Sequence, residues 1–312
     1  MKKNKIVVVG AGVIGSIYAA RLWLRGHDVS VMARGQRLSD IRTKGLIIKD
    51  AMNGKTQKTG VTAVESLGPD DDYDLVMVTV RNDQVAEILP VIAANHKAGA
   101  FLFMVNNPLG YDDWLKAAGV ARTIIGFPGA GGVVEGPVVA YTVVSRLLQP
   151  TTIGEQDGRK TARIKGLARM LAAAGFPVSI CSNMDAWQKS HVAWVTPCAF
   201  GIYHALARNT VLAASQDAAG LMVSGIREGF AVLRALRIPI TPGKLKALEW
   251  LPEAVLTRIL MNWAATRHFE VVALRHSLNA RAEMESLAAG FMRLRDTAGI
   301  ETPALDKLYH KP

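Results

Sequence analysis

The segment Gly10-Ala11-Gly12-Val13-Ile14-Gly15 stands directly behind the run Ile6-Val7-Val8-Val9 and opens an apolar-periodic stretch over 14–24. A β-branched run of this length reads as a strand buried on both faces, and the stretch after it as a helix. In that setting the G-x-G-x-x-G spacing has a physical use. Gly10 permits the tight turn, Gly12 lets a pyrophosphate approach the backbone, and Gly15 lets helix and strand pack closely. The phosphates then lie at the positive end of the helix, where free N–H groups point at them. An ordinary glycine-rich βα turn is the plainer alternative. A motif that begins at residue 10, behind a first strand, favours the nucleotide.

The basic start Met1-Lys2-Lys3-Asn4-Lys5 ahead of an apolar run is also the pattern of a secretory leader. Glycines at nucleotide-binding spacing, with Arg21 and Arg25 following at helical spacing, suit a soluble amphipathic helix better. The N-terminus is therefore read as structural and the chain as cytoplasmic. The second strand, Val29-Ser30-Val31-Met32, ends at Ala33-Arg34-Gly35. A cofactor with a free ribose 2′-hydroxyl usually finds a carboxylate at that tip. An arginine there suits a 2′-phosphate, whose oxygens its planar fork binds in pairs. The expected cofactor is NADP(H).

The chain has 312 residues, enough for two domains with sizeable cores. Its two cysteines, Cys181 and Cys198, lie too far apart for a metal motif and too few for a disulfide scaffold. No metal site is expected. The longest uncharged stretch, 192–207, is short of a bilayer span and holds Pro197 and His204, so it reads as a buried helix. The net charge of +11 is spread along the chain without a nucleic-acid recognition motif. The densest basic group, Arg159, Lys160, Arg163, Lys165 and Arg169, shares a helix with Ile164, Leu167 and Leu171 and reads as a solvated face. Positive charge favours anionic ligands such as a phosphorylated cofactor and a carboxylate substrate.

Along the chain, 36–44 reads as a helix leading to Leu46-Ile47-Ile48, and 74–80 and 100–105 as buried strands around a helix over 82–95. Ile124-Ile125-Gly126 follows, then a turn-rich loop over 127–132, strand-like segments at 138–147 and 151–153, a helix over 159–174 and a short strand at 177–180. Such alternation predicts an α/β fold, a doubly wound parallel sheet of Rossmann type. Beyond Ser182 every segment reads as helix, at 184–207, 211–236, 242–251, 252–262 and 283–298. The expected organisation is a nucleotide domain over 1–180 and an all-helical domain for substrate and dimerisation over 181–312.

Several pieces together resemble the ketopantoate reductases (2-dehydropantoate 2-reductases). They are Gly10-Ala11-Gly12-Val13-Ile14-Gly15, Val31-Met32-Ala33-Arg34-Gly35, Asp74-Leu75-Val76, Asn107-Pro108-Leu109-Gly110, Trp187-Gln188-Lys189, Glu283-Met284-Glu285 and Gly299-Ile300-Glu301-Thr302-Pro303, in family order. The resemblance implies a two-domain fold and reduction of a branched 2-oxo acid to a 2-hydroxy acid by NADPH, as in pantothenate biosynthesis. It also implies roles for single residues. Asn107 would contact cofactor and substrate, although Pro108 replaces a family glycine. Arg81 stands where the family usually has a lysine near the cofactor, and Gly131 would approach the nicotinamide end. Lys189 matches the catalytic lysine, and Glu283 the glutamate that completes the site, with Glu285 as an alternative register.

The chain also departs from the family. The family's substrate-binding asparagines, four and eight residues after the lysine, are Ala193 and Pro197 here, with His191, Trp194 and Thr196 as neighbours, and its serine falls at Val271. A hydride delivered to a carbonyl carbon leaves charge on the oxygen, which a nearby ammonium stabilises and protonates. Retention of Lys189 and Glu283 favours an enzyme acting on a 2-oxo acid, with a different ketone as a variant. Loss of the asparagines favours an NADP-binding sensor of the same fold without turnover. A homodimer is the expected assembly, with neither nucleic acid nor membrane as partner.

Overall fold

A computed structural model describes residues 3–310; Met1 and Lys2, the start of the basic N-terminal run, and Lys311 and Pro312 lie outside the described residues. The chain divides into two compact units, Met1–Val105 with Tyr111–Met184, and Asn106–Gly110 with Asp185–Pro312. The short segment 106–110 groups with the helical unit, which no local pattern signals.

In the first unit the elements follow in the order β1 (Lys5–Val9), α1 (Val13–Trp23), β2 (Asp28–Met32), α2 (Gly35–Lys44), β3 (Leu46–Asp50), β4 (Thr56–Thr59), β5 (Thr62–Val64), β6 (Leu75–Val78), α3 (Val85–Ala94), β7 (Phe101–Met104), α4 (Asp112–Ala118), β8 (Thr123–Phe127), β9 (Ala130–Glu135), β10 (Val138–Val143), β11 (Thr151–Gly154), α5 (Ala162–Ala173) and β12 (Val178–Ile180). One sheet runs β12-β11-β8-β7-β6-β1-β2-β5, parallel throughout except where β11 meets β8. The chain winds outward from β1 to β2 and β5, then crosses back to β6 and winds the other way. The order therefore reverses beside β1, where ligands of such sheets bind.

A second sheet, β4-β3-β10-β9, is absent from the sequence-based expectation. The turn-rich loop expected over 127–132 is instead the end of β8, a two-residue turn and the start of β9. Glycine weakens a strand's sequence signal because it offers no side chain to pack. Here its lack of a Cβ is what admits the neighbouring strand, since a Cβ on Gly132 would stand 2.1 Å from the Ala140 carbonyl oxygen.

Helix α1 is more deeply buried than an amphipathic surface helix. Tyr18 stacks on Phe176 at 4.1 Å, and Arg21 donates to the Ala174 carbonyl at 2.8 Å instead of facing solvent. Helix α5 starts at Ala162 because the Thr161 hydroxyl caps it, accepting from the Ile164 N–H. The basic face is exposed at Arg163, which also serves an inward partner. Its guanidinium pairs with Glu155, which is 3% exposed, and donates to the carbonyls of Ala121 and Thr123. Burial works against the Glu155 charge, but the bonds from Arg163 and Thr161 outweigh it and hold the carboxyl below its usual range.

The second unit is helical. It comprises α6 (Met184–Leu206), α7 (Gln216–Ala235), α8 (Ala247–Trp250), α9 (Glu253–Ala264), α10 (Arg267–Phe269), a π-helical turn (Glu270–Leu274), α11 (Arg275–Asn279), α12 (Arg281–Ala298) and α13 (Pro303–Tyr309). Its core joins the α6 residues Val192, Ala199 and Ile202 to the α7 stripe Met222, Ile226, Phe230 and Leu233 and to Met284, Leu287 and Phe291 of α12. The Glu228 carboxylate accepts from the Ala304 and Leu305 N–H groups at 3.0 and 2.9 Å, so α13 is capped by a residue of another helix. No helix among the described residues is long and apolar enough to cross a membrane.

Candidate functional site

In the first unit the glycine-rich turn follows β1 and leads into α1. Gly10 has φ +106° and donates its N–H to the Met32 carbonyl at 3.3 Å, a conformation that favours glycine. A Cβ on Gly15 would fall 1.9 Å from the Gly10 carbonyl oxygen and 2.6 Å from Thr79 Oγ1, so helix and turn touch backbone to backbone there. Around Gly12 there is open space, with nothing within 4 Å of an added Cβ. Ala11, Val13 and Ile14 complete the turn and first helical residues, with Ala11, Val13 and Ile14 packed against the core. No side chain caps α1, and its first turn holds no acidic residue. Its free N–H groups thus remain available to an anion. Open space at the middle glycine and an uncapped helix start fit a dinucleotide's pyrophosphate.

Two residues outside the sequence-based assignment hold this turn. Arg37 donates to the Ala11 carbonyl at 3.2 Å and to Ser16 Oγ at 2.9 Å, and Thr79 Oγ1 donates to the carbonyls of Val9 and Gly10 at 3.0 Å each. Their bonds depend on chain crossings that local patterns do not reveal. Arg34 sits exposed at the tip of β2, at the start of α2. Arg81 follows the Thr79-Val80 segment that packs on Gly10, and its fork binds Asp83 Oδ1 and Oδ2 at 3.0 and 2.9 Å. That bond holds the Asp83 carboxyl below its usual range. Gly131 lies within β9, opposite Thr142 of β10, and not in a free loop.

The second unit holds the remaining candidates. Lys189 lies on α6, and its ammonium pairs with Asp185 one turn earlier. Glu283 is buried in the first turn of α12. Two turns farther along α12, a Cβ on Gly290 would stand 2.9 Å from Pro108 Cγ, so the 106–110 segment docks on this helix. The Asn107 side chain is engaged inside that segment, donating to the Gly110 carbonyl and accepting from the Leu109 N–H. Pro108, in place of the family's glycine, is buried at the contact.

The face of α6 beyond Lys189 explains the missing asparagines. Ala193 is fully buried, and a Cβ on Gly229 of α7 would stand 3.1 Å from the Ala193 Cβ. Likewise a Cβ on Gly225 would stand 3.4 Å from Pro197 Cβ. This face is therefore a close helix–helix contact with small residues on both sides, and an asparagine at 193 would meet α7. Thr196 is also committed, bonding the Val192 carbonyl and the Tyr309 hydroxyl at 2.7 Å each. His191 stacks on Trp187 with ring centroids 5.2 Å apart. Burial, then the nearby His276, pushes its imidazole down to about 3. It is neutral at working pH and unsuited to act as an acid. Val271 lies buried in the π-helical turn and offers no hydroxyl.

Sheet reversal, glycine-rich turn and helical second unit define a protein with a Rossmann-type fold followed by a helical unit. Residues 6–157 match the profile of the family described as Ketopantoate reductase PanE/ApbA. A 2-dehydropantoate 2-reductase of Pyrococcus abyssi is 27% identical over 185 residues, covering 59% of this chain and 58% of that protein. The match thus spans less than two thirds of that relative. A PanE/ApbA family ketopantoate reductase from Ralstonia eutropha JMP134 has the same fold, with a TM-score of 0.74 at 20% identity over 98% of this chain and 96% of the other. So has D-mandelate dehydrogenase in its ternary structure with NADH and anilino(oxo)acetate, with a TM-score of 0.74 at 19% identity over 98% and 96%. Residues 6–157 thus match the ketopantoate reductase family, and the chain as a whole is similar in fold to solved ketopantoate reductases.

Proposed function

We propose that the chain is an NADPH-dependent reductase that converts a 2-oxo acid to a 2-hydroxy acid. In this reading residues 1–180 hold the cofactor and 181–312 supply the substrate site and a homodimer contact, in the cytoplasm. The observation that carries it is Lys189, a lysine side chain only 11% exposed and held in an ion pair, in a family of reductases. When bound, the reduced nicotinamide supplies a hydride to the substrate carbonyl carbon. Lys189 Nζ stabilises the charge that develops on the carbonyl oxygen and donates the proton that completes the alcohol. Glu283 orients that ammonium and the substrate. The α1 N-terminus and Gly12 hold the pyrophosphate, with Arg81 and Gly131 toward the nicotinamide, and Asn107 orders the 106–110 segment.

Arg34 reads the 2′-phosphate. Arg34→Ala is expected to weaken NADPH binding about tenfold or more and to leave NADH nearly unchanged, since a lost charge-assisted contact of 1.5–3 kcal/mol acts on one cofactor only. Equal losses in a fluorescence titration of both cofactors overturn that role.

The substrate differs from ketopantoate, because Ala193 and Pro197 are packed on α7 and supply no amide. Some other 2-oxo acid, bulkier or more apolar, is expected to give a kcat/KM at least about tenfold higher than ketopantoate, a difference of roughly 1.4 kcal/mol in transition-state binding. The D-mandelate dehydrogenase of the same fold was solved with NADH and anilino(oxo)acetate, which supports a search among other oxo acids. The test is NADPH oxidation against a panel of 2-oxo acids that includes ketopantoate. Ketopantoate as the best substrate overturns the specificity argument, and its pantothenate role would then follow. Tight NADPH binding with no turnover across the panel favours the second reading, an NADP-binding sensor, which the closed α6 face also suits.

A further inference from the structure

The geometry points to Asp185 as the residue that positions the Lys189 ammonium, an assignment that rests on reading Lys189 as the proton donor. Asp185 lies in the first turn of α6 and Lys189 one turn later, with the Nζ group donating to Oδ1. Pairs at this spacing are common decorations of helix surfaces, where both partners stay in water. In the pairs Asp40–Lys44 and Arg281–Glu285 the cation is 53% and 55% exposed. Lys189 is 11% exposed while its partner is 46% exposed. The ammonium is thus the buried member and the carboxylate the solvated one, an arrangement that serves the lysine.

Two physical consequences follow. The dipole of a 23-residue helix disfavours a cation in its second turn and favours a carboxylate in its first. Asp185 offsets that repulsion, as it offsets the cost of taking the ammonium out of water. The flexible four-carbon stem of lysine also reaches many positions, and an ion pair on its own helix selects one. Asp185 therefore holds Nζ in one direction. Asp185 touches neither substrate nor cofactor in this scheme and acts through Lys189.

The test compares the parent with Asp185→Asn, which removes the charge at constant size, and Asp185→Glu, which restores it. Two readouts are taken: kcat with KM on the 2-oxo acid that is reduced, and the rate at which an N-hydroxysuccinimidyl acetate probe acylates Lys189, followed by mass spectrometry of its peptide. For Asp185→Asn, kcat is expected to fall about tenfold and Lys189 to be acylated faster, since its Nζ is no longer held in the ion pair. KM should change less than kcat, and Asp185→Glu should return both readouts toward the parent. An unchanged labelling rate, or a kcat loss that glutamate does not rescue, overturns the assignment. Labelling needs no turnover, so the positioning role is tested even if no 2-oxo acid is reduced, which would overturn only the reading of Lys189 as a catalytic acid.

Discussion

Gly12→Ala is expected to fold as the parent does and to lose the dinucleotide, whereas Gly15→Ala is expected to lose both stability and binding. At Gly12 the backbone has φ −71° and ψ −165°, extended geometry that alanine adopts readily, and an added Cβ meets nothing within 4 Å. Its methyl therefore costs the folded protein little but occupies the space a pyrophosphate needs. At Gly15 the Cβ would lie 1.9 Å from a backbone oxygen, so α1 must move away from the turn that precedes it. Overpacking of this kind typically costs about 1–3 kcal/mol, or roughly 2–4 °C in Tm per kcal/mol for a domain of this size. Thermal melts should place Gly12→Ala within about a degree of the parent and Gly15→Ala several degrees below. Fluorescence titration should show NADPH affinity down by more than about tenfold in both, since even 1.4 kcal/mol of lost contact suffices. Unchanged affinity in Gly12→Ala would mean that no phosphate approaches this turn.

Lys189→Ala should lower kcat by about 10²–10⁴-fold, the usual contribution of a positioned general acid, and leave NADPH affinity nearly intact. The loss belongs in kcat because the interaction is made chiefly as charge develops on the substrate oxygen. Removal of the ammonium leaves Asp185 half exposed, where water solvates it, so the fold should survive. His191 cannot take over as acid, since its buried imidazole stays neutral down to about pH 3. Steady-state kinetics on whichever 2-oxo acid the panel identifies checks this. Turnover at the parent rate would reduce Lys189 to the buried half of a helix ion pair.

The nucleotide half of the candidate site was more legible in the amino-acid sequence than the chemical half. Strand β1 and helix α1 were visible because β-branched runs and apolar periodicity are local patterns, and the glycines mark the turn between them. Strands β4, β5 and β9 were not, because Thr56–Thr59 and Thr62–Val64 are short and polar or mixed, and β9 opens on glycines. The short helices over 267–279 and α13 also escaped notice, the first interrupted by a π-helical turn and the second capped by Glu228 from far along the chain.

Single residues divide in the same way. The spacing of Asp185 and Lys189 on one helix face is written in the sequence and could have been read from it. That the lysine is buried and the aspartate solvated could not, because burial depends on what packs over α6. By itself the sequence determined the alternation of the principal strands and helices, the glycine-rich turn and the Rossmann-type class of fold, all properties of local pattern and backbone freedom. Only the tertiary structure decided that 106–110 joins the helical unit through Pro108 and Gly290. It also decided that Arg163 neutralises a buried glutamate, and that Gly225 and Gly229 close the α6 face where asparagines would stand. The first and third are contacts between residues distant in the chain, the second joins the end of β11 to α5, and all are set by side-chain volume and charge across packed elements, which periodicity within one element does not encode.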